Sequence, residues 1–141
     1  MYYGEYLNSV SHLVGAVLAL VGLGALLTVA TQSGELRVII GFSVFGVTMV
    51  LLYPMSTLYH SLRPGRGKRV FKVLDHISIY LLIAGSYTPF MLISMPASSG
   101  VPILAAVWAL AVVGTLSEIF LHGRLIKIIQ ILIFLGMGWA C

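Results

Sequence analysis

The sequence predicts an all-α protein, a polytopic transmembrane helix bundle with four full spans and a partial fifth. Three observations lead to this class. Hydrophobic residues make up 60% of the 141 residues, charged residues only 9%, and the mean hydropathy is +1.06. Soluble domains carry about 25% charged residues, and the apolar runs here approach the ~20 residues that a helix needs to cross a bilayer. We therefore expect the whole chain, 1–141, to form a single transmembrane domain.

Apolar runs and the turns between them define five segments. Small residues in the first segment, such as Gly15 and Gly22, would let neighbouring helices approach closely. Pro64 limits the second segment because the residue before a proline disfavours helical backbone, and Pro89 predicts a kink near the far end of the third. The uncharged stretch 95–100 is expected to be a turn. The predicted spans are 9–30, 38–62, 70–94, 101–121 and 125–141.

The fifth segment is shorter than a typical span. Lys127 is its last charge, and no polar flank follows before Cys141. A short or re-entrant terminal helix is one interpretation, and a chain truncated within its fifth span is the other. The abrupt end of the apolar stretch favours truncation. Because Cys141 is the single cysteine, no disulfide framework exists within this chain.

Loop charge predicts the orientation of the bundle. The turn 63–72 carries five basic residues, the next turn carries none, and the turn after the fourth segment carries Arg124 and Lys127. The positive-inside rule then places the N-terminus in the cytoplasm, for an integral protein of the plasma (inner) membrane. Because the basic residues concentrate in loops, they indicate topology rather than nucleic-acid binding. We interpret the basic turn as a contact for anionic headgroups rather than a specific phosphate site.

Ionisable residues cluster at this same predicted cytoplasmic end. All four histidines and three of the four carboxylates lie there, and Glu35 is the exception. An ionisable group in a hydrophobic segment is costly unless it is paired, bound to a metal or facing a wet cavity. The clustering therefore predicts one polar site that opens toward the cytoplasm. The clustered residues are Glu5, His12, His60, Asp75, His76, Glu118 and His122.

Ser56, His60 and Asp75 form the strongest candidate constellation. Ser56 and His60 are four residues apart and share one helix face, and Asp75 follows across a short turn. Asp75 shares a face with the small residues Ser78 and Gly85, so its carboxylate is expected to point into the bundle. A neutral imidazole is the commonest metal ligand, whereas a lone interfacial histidine more simply binds lipid phosphate. Catalytic zinc uses about three protein ligands and a water, so His60 alone cannot complete a site.

Glu5, Asn8 and His12 have i, i+3, i+7 spacing and would share one face of the first helix. Residues of this kind can orient a catalytic group, because a metal-binding histidine usually donates its other N–H to a carboxylate or carbonyl. The alternative is an interfacial helix start whose polar groups meet water. Spacing does not choose between the two.

Glu118 and His122 are also four residues apart, which is the spacing of a metal pair. His122, however, precedes Gly123 at a helix end, where a histidine commonly caps carbonyls or meets water. His76 lies about 100° around its helix from Asp75 and is interpreted as structural.

These residues resemble the bacterial hemolysin III family. Its motifs occur in order and span nearly the whole chain. The family belongs with the progestin and adipoQ receptors and, more distantly, the alkaline ceramidases. The resemblance implies a seven-helix membrane fold with a zinc site in the cytoplasmic half. The matching motifs are Glu5-x-x-Asn8-x-x-x-His12, Ser56-x-x-x-His60, and Asp75-His76-x-Ser78-Ile79-Tyr80 through Ala84-Gly85-Ser86-Tyr87-Thr88-Pro89.

The resemblance also implies residue roles. His60 would be a zinc ligand, Ser56 a site residue, and Asp75 the carboxylate near the zinc-bound water. The family's other two ligands come from a His-x-x-x-His motif in its last helix, and this sequence contains no such motif. The chain is therefore expected to be C-terminally truncated and to carry an incomplete Zn²⁺ site.

Two functional hypotheses follow. The first is a zinc-dependent membrane hydrolase of a lipid amide or ester, in which Asp75 and Ser56 are catalytic and membrane lipids are the partners. The alternative is a non-enzymatic membrane receptor or cytolytic factor, or an inactive fragment. A pore needs a polar stripe along whole helices, whereas the outer halves of these segments are largely apolar.

Overall fold

The computed structural model describes residues 4–121 and 123–139, and in these ranges all regular structure is helical. Four of the helices are long and apolar enough to cross a membrane. This confirms the predicted all-α membrane bundle. In lipid each backbone N–H and C=O needs an internal partner, which a helix provides. The helices are α1 (Tyr6–Ser33), α2 (Leu36–Ser61), α3 (Arg66–Pro89), α4 (Ala97–Phe120) and α5 (Arg124–Gly138).

Consecutive helices pack against one another along the chain, α1 on α2, α2 on α3, α3 on α4 and α4 on α5. Short turns join them, so neighbouring helices run antiparallel. The starts of α1, α3 and α5 and the ends of α2 and α4 therefore meet at one end of the bundle. We call this the basic end, because the turn 62–65 and residues 121 and 123 lie there beside the cationic residues.

Helices α1 to α4 all begin two to four residues earlier than predicted, and the largest extensions are those of α3 and α4. α3 begins at Arg66 rather than near Val70, and the Arg69 N–H donates to the Gly65 carbonyl at 3.2 Å. α4 begins at Ala97, so the expected turn over 95–100 is wrong for its last four residues. The Gly100 N–H donates to the Pro96 carbonyl at 2.8 Å. Backbone hydrogen bonding continues past the apolar runs, and hydropathy does not detect that extension.

The helical backbone changes character at Pro89. α3 ends there, and Phe90–Ser94 continues as a π-helical turn. Proline has no N–H to donate and its ring crowds the preceding turn, so the α-helical ladder is interrupted. α2 passes close to this point, since a Cβ on Gly41 would lie 2.9 Å from the Pro89 Cα. Only a glycine at position 41 allows the two helices to approach so closely.

Small residues set the register between the helices. A Cβ on Gly85 of α3 would collide with the Thr48 side chain of α2, and one on Gly114 of α4 would collide with the Tyr80 ring of α3. Helix association in a bilayer depends on such close packing, because lipid is as apolar as the side chains. These contacts determine which polar residues of adjacent helices lie at the same depth.

Candidate functional site at the basic end

Ser56 of α2 and Asp75 of α3 lie at nearly the same depth in the hairpin formed by the two helices. From the Thr48–Gly85 contact, Ser56 is eight residues along α2 and Asp75 ten residues back along α3. At about 1.5 Å per residue these steps differ by only about 3 Å. Both residues are buried, with 2% of Ser56 and 9% of Asp75 exposed. The α2–α3 register thus places two of the predicted residues at a similar depth.

Glu5 joins three elements at the basic end through one carboxylate oxygen. Its Oε2 accepts a hydrogen bond from the Lys68 Nζ at 2.7 Å and lies 3.2 Å from the His60 Nδ1. Glu5 precedes α1, His60 is in the last turn of α2, and Lys68 is in the first turn of α3. The hydrogen bond from Lys68 is the largest influence and lowers the pKa of Glu5 below its ordinary value. Burial opposes this shift, and the hydrogen bond with His60 lowers the pKa further.

Aromatic rings surround His60. The His12 ring centroid lies 5.7 Å from that of His60, and the Tyr59 centroid lies 4.6 Å from it. The centroid of the Tyr53 ring lies 6.1 Å from that of the His12 ring. The Nδ1 of His12 is buried and has no hydrogen-bond partner among the described residues. It is therefore a polar atom that a ligand in this cluster could satisfy.

The Glu5–His60 contact has the arrangement that metal-binding histidines usually show. Such a histidine donates one ring N–H to a carboxylate, which fixes the tautomer and leaves the other nitrogen for the metal. In His60 the Nδ1 faces Glu5, while the Nε2 forms no hydrogen bond to a described residue. Within residues 4–121 and 123–139 no three His, Cys, Asp or Glu side chains are grouped to hold a metal. His60 thus fits as one ligand, and the described part of the chain does not complete a site.

The predicted trio on α1 separates in the structure. Glu5 and His12 both reach the surroundings of His60, whereas the Asn8 side chain is exposed and its backbone carbonyl accepts from the Ser11 hydroxyl at 3.1 Å. Glu5 is the residue before the helix, with φ −116° and ψ 16°. Glu5 is thus the N-cap residue of α1, since its own backbone is not helical while its carbonyl accepts from the Ser9 N–H at 3.0 Å. The role proposed for Asn8 stays a prediction.

A second histidine–carboxylate pair joins α3 and α4. The Nδ1 of His76 lies 2.7 Å from the Oε1 of Glu118. From the sequence, His76 was expected to be structural and Glu118 to pair with His122, which lies outside the described residues. The register explains the observed pair, because His76 and Glu118 are each four residues from the Tyr80–Gly114 contact. Spacing within one helix carries no signal for such a pair.

Fold and site together define a multi-pass helical membrane protein with a carboxylate-held histidine at one end of the bundle. The chain belongs to the Haemolysin-III related family, whose model matches residues 2–141. This confirms the resemblance drawn from the motifs, and an integral membrane protein is what the family and the four apolar helices support.

Two curated relatives have similar sequences over 135 residues, which is 96% of this chain. Hemolysin-3 of Bacillus cereus is 42% identical, and the Hemolysin-3 homolog of Bacillus subtilis (strain 168) is 38% identical. The matches cover 61% and 63% of those proteins, so the chain spans about three fifths of their length. No solved structure matches the chain significantly.

Proposed function

We propose that this protein acts as a zinc-dependent membrane hydrolase of a lipid amide or ester, with its site at the basic end. The observation that carries the proposal is the contact between the Glu5 carboxylate and the His60 Nδ1 at 3.2 Å. A histidine held in this way presents its Nε2 to a metal. The remaining ligands would come from elsewhere in the whole protein, as the hemolysin III resemblance implies.

The proposed chemistry divides between the ion and the side chains. A bound zinc ion polarises a substrate carbonyl and lowers the pKa of a water toward ~7. Asp75 would accept a proton from that water, because its buried carboxylate forms no hydrogen bond or ion pair with a described residue. The Ser56 hydroxyl, at a similar depth, would donate a hydrogen bond to the oxyanion that develops on the carbonyl oxygen.

The proposed site faces the cytoplasmic side of the plasma membrane. Five basic residues between 63 and 72, together with Lys127, lie at the end of the bundle that carries His60, whereas the turn at 95–96 has no charge. The positive-inside rule supports this orientation. A lipid substrate would reach the site from the headgroup region of the bilayer.

Zinc analysis of the purified protein, expressed from its complete reading frame, tests the metal assignment. We expect bound zinc in the wild type and a large loss in His60→Gln. His76→Gln is the matched control, since His76 is also a histidine at the basic end with a carboxylate partner. Equal zinc content in the wild type and His60→Gln would contradict the proposal.

Turnover of a lipid amide with a fluorescent acyl chain, and of the matching ester, tests the hydrolase assignment. We expect Asp75→Asn to lose about 100-fold or more in rate while it retains zinc, because it removes the proton acceptor and not the ligand. A zinc-loaded protein with no activity toward either lipid would leave the metal assignment intact and refute the hydrolase.

A cytolytic factor is the second candidate, because both relatives carry the name Hemolysin-3. Dye leakage from liposomes separates the two functions. If leakage by the wild type persisted undiminished in Asp75→Ala and His60→Ala, membrane lysis would be independent of the proposed site. Catalysis would then be the wrong explanation for that activity.

A further inference from the structure

A groove of about 550 Å³ opens at the basic end between α3, the end of α4 and α5. It is distinct from the His60 cluster, which lies where the start of α1 meets α2 and α3. The basic turn 63–72 was expected to set topology and to contact anionic headgroups, without a specific phosphate site. The fold instead collects cations from two separate turns around one concavity.

Three cationic side chains line this groove: Arg69 and Lys72 from the first turns of α3, and Lys127 from α5. None of the three forms an ion pair with a described residue. Among the described lining residues Glu118 is the one that is acidic, and its Oε1 lies 2.7 Å from the Nδ1 of His76. Cations therefore outnumber carboxylates three to one among the described residues of the groove.

The rest of the groove is suited to an amphipathic ligand. Val73, Leu121 and Ile126 supply apolar walls beside the cations. Gln130 lies one helical turn beyond Lys127 and is buried, with its Nε2 3.4 Å from the Ser117 hydroxyl. A small inorganic anion would use only the cations. A lipid would place its phosphate among them and its glycerol and acyl carbons against the apolar walls.

We propose that this groove binds the phosphate headgroup of an anionic glycerophospholipid. Basic pockets between transmembrane helices bind such headgroups, and each Lys or Arg near the membrane surface contributes about 1 kcal/mol. Lys72 of α3 and Lys127 of α5 are the pair on which the proposal depends most, because they bring positive charge from two helices that are far apart in sequence. The bound lipid would thereby link α3 to α5. This proposal does not depend on the hydrolase.

Lipid binding to the purified full-length protein tests the proposal through two charge-matched double variants. Lys72→Gln/Lys127→Gln removes two cations from the groove. Arg63→Gln/Arg66→Gln removes two from the same end of the bundle, at residues that do not line the groove. The probes are dioleoylphosphatidylglycerol, dioleoylphosphatidylcholine and inorganic phosphate, measured by native mass spectrometry in detergent.

We expect phosphatidylglycerol to bind the wild type in preference to phosphatidylcholine. Lys72→Gln/Lys127→Gln should bind phosphatidylglycerol roughly thirtyfold more weakly, because it removes two cations that contribute about 1 kcal/mol each. The affinity of Arg63→Gln/Arg66→Gln for phosphatidylglycerol should stay within about threefold of that of the wild type. Lys127→Gln alone, at an exposed side chain, should lose about fivefold, which keeps the test available if the double variant folds poorly.

Three results would overturn the assignment. Equal losses in the two double variants would mean that binding depends on the general charge of the basic end. Equal binding of phosphatidylcholine would mean that headgroup charge is not recognised. Displacement of phosphatidylglycerol by millimolar phosphate would make the groove a site for free anions and not for a lipid.

Discussion

Replacement of Glu5 by glutamine tests the contact on which the zinc proposal rests. The substitution keeps the size of the side chain and removes the charge that His60 and Lys68 share. Under the zinc proposal, the carboxylate beside Nδ1 would keep the proton of His60 on that nitrogen and leave Nε2 for the metal. Glutamine can still accept a hydrogen bond from His60, but without a full negative charge, so the ring becomes a weaker ligand.

The structure limits the size of this effect. Loss of a hydrogen-bond partner behind a metal ligand typically costs 10- to 100-fold in metal affinity. The Glu5 side chain is 29% exposed, and its oxygen lies closer to Lys68, at 2.7 Å, than to His60, at 3.2 Å. Solvent and Lys68 therefore screen part of the charge that acts on His60. We expect the lower end of the range, a loss of about tenfold in zinc affinity.

Competitive titration of the purified protein with a chromophoric chelator measures that affinity. Glu118→Gln is the matched control, because it removes the charge of the other histidine–carboxylate pair and should leave zinc affinity unchanged. Unaltered zinc affinity in Glu5→Gln would refute the reasoning. So would equal losses in both variants, since the effect would then come from the net charge of the basic end.

Two further predictions concern the scaffold around the site. Gly85→Ala would place a methyl group against the Thr48 side chain and should lower the free energy of unfolding by about 1–3 kcal/mol. The unfolding midpoint in detergent should fall in this variant and recover in part in Gly85→Ala/Thr48→Ala. An unchanged midpoint would contradict the tight α2–α3 contact. The second prediction concerns stability at low pH. Because the pKa of Glu5 in the folded protein is lowered from the ordinary value of 4.5, its ionised side chain contributes fully to stability above pH 4.5. That contribution is lost as the pH falls through the lowered pKa. Hydrogen exchange in the first turns of α1 should accelerate below that pH in the wild type and much less in Glu5→Gln, whereas the same acid response in both proteins would show that Glu5 is not the responsible group.

The relation between Ser56 and His60 could be predicted because their spacing lies within one helix. Ser56 and His60 are one turn apart on α2, and that relation holds in any helical structure. The position of Asp75 in the adjacent helix followed from the shortness of the turn that joins α2 and α3. Asn8 was grouped with Glu5 through helical spacing, but Glu5 lies before the helix begins.

Contacts between helices could not be predicted from the same patterns. The pair of His76 with Glu118 depends on the rotation and register of α3 against α4, which the close contact of Gly114 with Tyr80 determines. The link from Lys68 to Glu5 depends on how far α3 extends before its apolar run. A sequence pattern reports the face of a helix, and it does not report which face of the neighbouring helix lies opposite.

Sequence patterns alone were enough to predict the class of protein, the four long spans and the end of the bundle at which ionisable residues gather. These properties depend on local hydropathy and charge, because the bilayer acts on each segment separately. The contact of Glu5 with His60, and the groove that Lys72 and Lys127 both line, become visible once the helices are packed together. They depend on helix packing, which in lipid relies on close contacts at small residues. Such contacts set depth and rotation, and those two quantities determine which polar groups meet.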